Sequence, residues 1–134
     1  MTPFKLTVMT PDGIAYEGEA VSIIATTDEG EVQILAKHAD YLAALGTGRV
    51  KLELPDGTVR TAASSGGFLT VQNGEVTLSA VTFEYKEDID LERALRAEER
   101  AKKELSSAKD ARDERLARAR LNRAVSRIRI AREK

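Results

Sequence analysis

The chain has 134 residues, 42% of them hydrophobic and 32% charged, which suits one medium domain or one small domain with an appendage. Its net charge of −1 hides an asymmetry: residues 1–89 carry six basic and thirteen acidic residues, a balance of −7, and residues 90–134 carry fifteen and nine, a balance of +6. Without cysteine there are no disulfides, thiol nucleophiles or thiolate zinc sites, and a lone histidine, His38, excludes a multi-histidine metal centre.

The first segment, Phe4 to Met9, alternates apolar and polar residues as a half-buried strand does, and Thr10-Pro11-Asp12-Gly13 ends it as a turn. It is not preceded by a charged stretch and an apolar one, so no signal peptide is expected. Ala20 to Ala25 reads as a second strand, Asp28 to Glu31 as a turn and Val32 to Leu35 as a third strand. Arg49–Leu54 and Thr58–Thr61 flank Pro55-Asp56-Gly57 as a hairpin, and Gly67–Val71 and Glu75–Ser79 flank Gln72-Asn73-Gly74 as another. Short strands at this spacing, in a core that has only 4% aromatics, predict a β-sandwich packed with Val, Ile, Leu and Ala.

All nine glycines and all three prolines precede residue 75. After them Ala, Arg, Glu, Lys and Leu dominate, all strong helix formers. Asp88 or Asp90 can cap a first helix whose apolar stripe is Leu91, Ala94, Leu95, Ala101 and Leu105. Ser106-Ser107 breaks it, and Asp110 can cap a second, along which Ala117, Leu121, Ala124, Ile128 and Ala131 recur at heptad-like spacing. The expected fold is therefore α+β: an N-terminal antiparallel β-sandwich, residues 1–86, followed by a two-helix antiparallel hairpin, residues 87–134. A seam of small alanines buries little area, so the hairpin is expected to be marginally stable alone and able to dock, undock and extend. No apolar run reaches the ~20 residues that cross a bilayer. The protein is expected to be intracellular, with membrane association only through partners.

Three segments in order, Val8-Met9-Thr10-Pro11-Asp12-Gly13, Gly30-Glu31 with Ile34-Leu35 and His38, and Ser65-Gly66-Gly67-Phe68-Leu69, resemble signatures of the epsilon subunits of rotary F-type ATP synthases. Asp88-Ile89-Asp90-Leu91-Glu92-Arg93-Ala94 is similar to the Ile/Leu-Asp-x-x-Arg-Ala motif of the ATP-binding bacterial members. The resemblance covers essentially the whole chain. It departs from the family loop at Gln33, Ala36 and Asp40, which stand where the family has a glycine and two prolines; the strands should survive the change. It implies a non-catalytic rotor subunit, peripheral on the cytoplasmic face of the cell membrane. The gamma subunit and the c ring would meet the sandwich through the region of Glu31 and His38. The helical arm would reach the catalytic beta subunits when extended and inhibit ATP hydrolysis.

The helix start has two readings. In the plainer one it is a capped terminus with an Asp90–Arg93 pair, worth about 0.2–0.5 kcal/mol. In the other, implied by the resemblance, ATP is a regulatory ligand: Glu84, Ile89, Asp90, Arg93, Ala94, Arg100, Arg123 and Arg127 fill the ligand positions, with the arginines on the phosphates. No Gly-rich phosphate loop suggests hydrolysis and no catalytic cofactor is implied. Arg115 to Arg132 holds seven arginines and no acidic residue, which leaves an adaptor for nucleic acid or another acidic partner as the alternative. The acidic sandwich, the lack of stacking aromatics among these arginines and the lack of a known motif argue against nucleic acid. Ser64-Ser65 before Gly66-Gly67 is read as a bend leading into a strand, since no Gly-x-Ser-x-Gly elbow surrounds it.

Overall fold

The computed structural model of the chain describes residues 1–133, which divide into two compact units, residues 1–85 and residues from 86 onward. The first holds eight strands: β1 (Phe4–Thr10), β2 (Gly13–Ala20), β3 (Ser22–Thr27), β4 (Gly30–Ile34), β5 (Tyr41–Ala44), β6 (Gly48–Glu53), β7 (Val59–Gln72) and β8 (Glu75–Tyr85). They are linked in the order β2-β1-β8-β7-β6-β3-β4, with β5 on the other edge of the second half of β7. The ladders are antiparallel except that β1 runs parallel to β8, Leu6 opposite Val76 and Met9 opposite Ser79.

The sandwich forms because β7 and β8 are long enough to serve both layers. The first half of β7 pairs with β6 and the second half of β8, and the second half of β7 pairs with β5 and the first half of β8, which also carries β1. Between the halves sit Gly66 (φ +70°) and Gly67 (φ +93°), in backbone regions that β-branched and bulky residues avoid. A Cβ on Gly67 would overlap the Ser79 carbonyl, so the two strands can approach here only over a glycine. The enclosed core includes Leu6, Val8, Ile23, Ile34, Val50, Leu52, Leu69 and Leu78, all with at most 1% of their surface exposed.

Thr58–Thr61 and Gly67–Val71, expected as separate strands, thus fall, apart from Thr58, within one bent strand, and the Gly-Gly bend lies inside it. Two strands go beyond the sequence reading. β2 contains two glycines and lacks clean alternation, and β5 has only four residues. β2 is completed by pairing along β1, and β5 by pairing with the long β7, rather than by its own propensity. The segment expected as Ala20–Ala25 breaks at Val21, whose amide donates to the Glu53 carbonyl (2.8 Å). The departing loop residues make ties of their own: Gln33 Nε2 donates to Ser22 Oγ (3.0 Å), Ala36 packs on the core, and Asp40 accepts from the Asn73 amide (3.0 Å).

The second unit comprises a 3₁₀ turn, Lys86–Asp88, helix α1 (Leu91–Ser106) and helix α2 (Ala111–Arg132). Asp90 caps α1 by accepting from the Arg93 amide (3.1 Å), and Asp110 caps α2 by accepting from the Asp113 amide (2.8 Å). Ala94 and Ala101 of α1 and Ala117, Ala124 and Ile128 of α2 are buried along the seam. Ile130 is buried too, although two residues on from Ile128 place it about 200° round the helix, off the stripe. The last turn of α2 runs beside the 3₁₀ turn, where Lys86 Nζ donates to the Glu133 carbonyl, a neighbour no helical period reveals.

Glycine at positive φ is expected to matter unequally. Gly67→Ala should destabilise the chain by about 3 kcal/mol or more, whereas Gly57→Ala, at a similar φ of +89° with open space around it, should lose about 1 kcal/mol. Thermal unfolding of the two variants checks this. A pH effect is expected at the β6–β7 turn. Asp56 accepts from the Thr58 amide (2.9 Å), which holds its carboxyl below the ordinary 3.8. A depressed pKa contributes stability above the unfolded value and loses it as pH falls through the folded one. Carboxyl NMR should therefore show Asp56 titrating below 3.8, and Thr58→Pro, which removes the donor, should raise the midpoint.

Candidate functional site

Alternation along each strand sends every second side chain outward, and on one layer of the sandwich several of these outward side chains are large and apolar. Ile14 on β2 stands opposite Met9 on β1, Met9 opposite Ser79 on β8, Ser79 opposite Phe68 on β7, and Phe68 opposite Ala44 on β5. Leu42 and Val81 flank this row, each two residues along its strand from a member of it. Five strands at about 4.8 Å spacing make a row about 19 Å long. Leu42 is 68% exposed, Val81 62%, Ile14 60%, Phe68 54% and Met9 44%. Several large apolar side chains gathered on one exposed face, around Ser79, are the kind of surface at which proteins meet partners. The sequence carried a sign of it: Val8-Met9, Phe68-Leu69 and Ala80-Val81 are apolar at adjacent positions in strands that should alternate.

The two residues expected at a rotor interface are not brought together. Glu31 lies near the start of β4 and pairs with Arg49 Nη2 on β6 (3.3 Å), whereas His38 lies in the connection beyond the end of β4. His38 Nδ1 is 2.7 Å from the Ala39 carbonyl, and its ring meets Tyr41 edge-on. Both residues are accessible, but neither belongs to the apolar row.

In the second unit, Asp90 acts on the backbone amide of Arg93, and among the described residues the Arg93 guanidinium makes no ion pair. Ile89 is half-buried beside the cap, and Ala94 is buried in the seam with its amide on the Asp90 carbonyl (3.0 Å). Glu84 lies on β8 in the first unit, opposite Ala63. The arginines converge more clearly. Arg93 and Arg100 each precede a buried alanine of α1 by one residue, and Arg123 and Arg127 precede Ala124 and Ile128 of α2 by one. At 100° per residue all four lie on the side of the seam that faces backward along each chain. In an antiparallel pair those two sides form one edge. The Arg120–Glu104 ion pair (2.7 Å), built from positions on the same sides, crosses the seam on that edge. Arg93 and Arg100 are two turns apart, about 10.5 Å along α1, and Arg123 and Arg127 one turn apart along α2, about 6 Å. Arg93 and Arg100 are exposed, and Arg123 and Arg127 half-buried. Charges of one sign held this way lower their self-repulsion when an anion lies among them.

The ATP synthase delta/epsilon chain β-sandwich domain matches residues 3–86, and the long α-helix domain of the same family matches residues 87–132. The chain belongs to the ATP synthase epsilon family. Among its relatives, an ATP synthase epsilon chain of Ruminococcus albus is 39% identical over the full length of both chains. One of Halalkalibacterium halodurans is 41% identical over 98% of each. A chain in the cryo-EM structure of the Euglena gracilis mitochondrial ATP synthase (OSCP/F1/c-ring) superposes with a TM-score of 0.82 at 26% identity, over 94% of this chain and 79% of that one. A chain of the Tetrahymena thermophila mitochondrial ATP synthase shares the fold at 18% identity, with a TM-score of 0.67.

In this epsilon-family chain the cap at Asp90 is expected to hold the start of α1. Asp90→Ala should cost about 1 kcal/mol locally, read as faster amide exchange at Arg93 and its neighbours with the sandwich amides unaffected.

Proposed function

We propose that this chain is the epsilon subunit of the central stalk of a proton-translocating ATP synthase, non-catalytic, with its sandwich seated between gamma and the c ring. The observation that carries the reading is the apolar row Ile14, Met9, Phe68, with Leu42 and Val81 beside it, on a chain that is otherwise folded and charged. Such a face favours a permanent partner over solvent at about 25 cal/mol per Å² covered. Among the described residues no helix is long and apolar enough to cross a membrane, so the attachment we propose is peripheral, on the cytoplasmic face and through the complex. The names of the relatives and the assembly in which the Euglena chain was seen support this reading. Phe68→Asp with Leu42→Asp is expected to abolish co-purification with gamma while leaving the thermal midpoint within a few degrees, because both side chains are already in water.

We further propose that the helical unit regulates the enzyme through ATP. Arg93, Arg100, Arg123 and Arg127 on one edge would hold the phosphates when the helices are paired, and Asp90 with nearby backbone would face the base or ribose. A ligand shifts a conformational equilibrium only by its differential affinity, and separating the helices would disperse the arginines. Falling ATP would then release the arm to reach the beta subunits and block hydrolysis. Calorimetric titration with ATP is expected to give 1:1 saturable binding, weakened by about tenfold or more in Arg93→Ala and Arg123→Ala. Binding unchanged in both variants would remove the edge from consideration. Truncation of residues 88–134 is expected to raise ATP hydrolysis by the assembled enzyme, and an unchanged rate would sink the inhibitory role.

A further inference from the structure

The Leu42 edge of the apolar face rests on the weakest strand of the sandwich. β5 has four residues and, among the described residues, pairs along its length only with β7. Its far end is held by backbone: Leu45 donates to the Gly67 carbonyl (2.8 Å), Asp28 donates to the Ala44 carbonyl (3.1 Å), and Thr27 bridges to Leu45. Its near end follows a connection that passes through Lys37 at φ +62°, and Tyr41, half-buried on the core, is its first residue. Fraying there would swing Leu42 out of line with Phe68.

One side chain ties this near end to the neighbouring hairpin. Gln72 and Glu75 close the β7–β8 ladder around a two-residue turn, Asn73 (φ +52°) and Gly74 (φ +80°), the signs that a type I′ hairpin turn requires. In such a turn the first central amide points away from the ladder and has no strand partner. Tyr41 stands opposite Val71, so Asp40 arrives level with Gln72, beside that amide, and its Oδ1 accepts the Asn73 N–H at 3.0 Å. A charged acceptor thus joins two loops 33 residues apart in sequence.

We infer that Asp40 is a positioning residue: by capping the Asn73–Gly74 turn it pins the start of β5 and holds Leu42 in register on the docking face. This rests on the docking reading given above, and the test separates the two. In the full chain, amide exchange is read at Asn73 and at residues 41–44, alongside affinity for the gamma subunit. Asp40→Ala is expected to speed exchange at those amides about tenfold, with β1 and β8 protection unchanged, and to weaken gamma binding by a similar factor. Asp40→Asn, which keeps an oxygen in the same place, should stay within about threefold of wild type in both. Unchanged exchange in Asp40→Ala overturns the tether. Faster exchange with undiminished gamma affinity overturns the positioning role. A wild-type chain that does not bind gamma overturns the docking reading, and the exchange result then still decides whether Asp40 pins β5.

Discussion

Two long strands running side by side, β7 and β8, are the constraint on which the sandwich depends. They pair from Ala62 opposite Tyr85 to Gln72 opposite Glu75, and the bend at Gly66-Gly67 divides that ladder between two layers. β1 leans on the first half of β8, β6 on the first half of β7 and β5 on the second half of β7. The close approach over Gly67 allows the bend, because any Cβ there would meet the Ser79 carbonyl. A strand pair that turns a corner lets one hydrophobic core form between two faces without two separate sheets having to find each other.

The same bend organises the outer surface. Residues on the far sides of β1, β2, β5, β7 and β8 come into one row only because the second half of β7 and the first half of β8 lie in the same layer as the edge strands. The inward set of these strands forms the core, and the outward set, Ile14, Met9, Phe68, Leu42 and Val81, is left in solvent. Core and exposed apolar row are therefore two sides of one pleat.

The helical unit follows different physics. Its seam is narrow and rich in alanine, so it gains little from burial. Under the regulatory role proposed above, a narrow seam is what would let a ligand's differential affinity decide the pairing. The caps at Asp90 and Asp110 fix where each helix begins.

Much of this was legible in the chain itself. Period-two alternation, the turn tetrapeptides and the disappearance of glycine and proline after residue 74 determined a β-sandwich followed by two helices, and the cap at Asp110 and the seam alanines were read directly. The charge asymmetry and the spacing of Arg123 and Arg127 placed basic residues on one helix face, since helical geometry is local. What only the tertiary structure decided was non-local. The merging of two expected strands into β7, the recruitment of β2 and β5, the apolar row across five strands and the bond from Asp40 to Asn73 all depend on register between segments far apart in sequence. Register is selected by the whole set of pairings at once, and a strand's own residues specify which faces it has but not which neighbours will complete them.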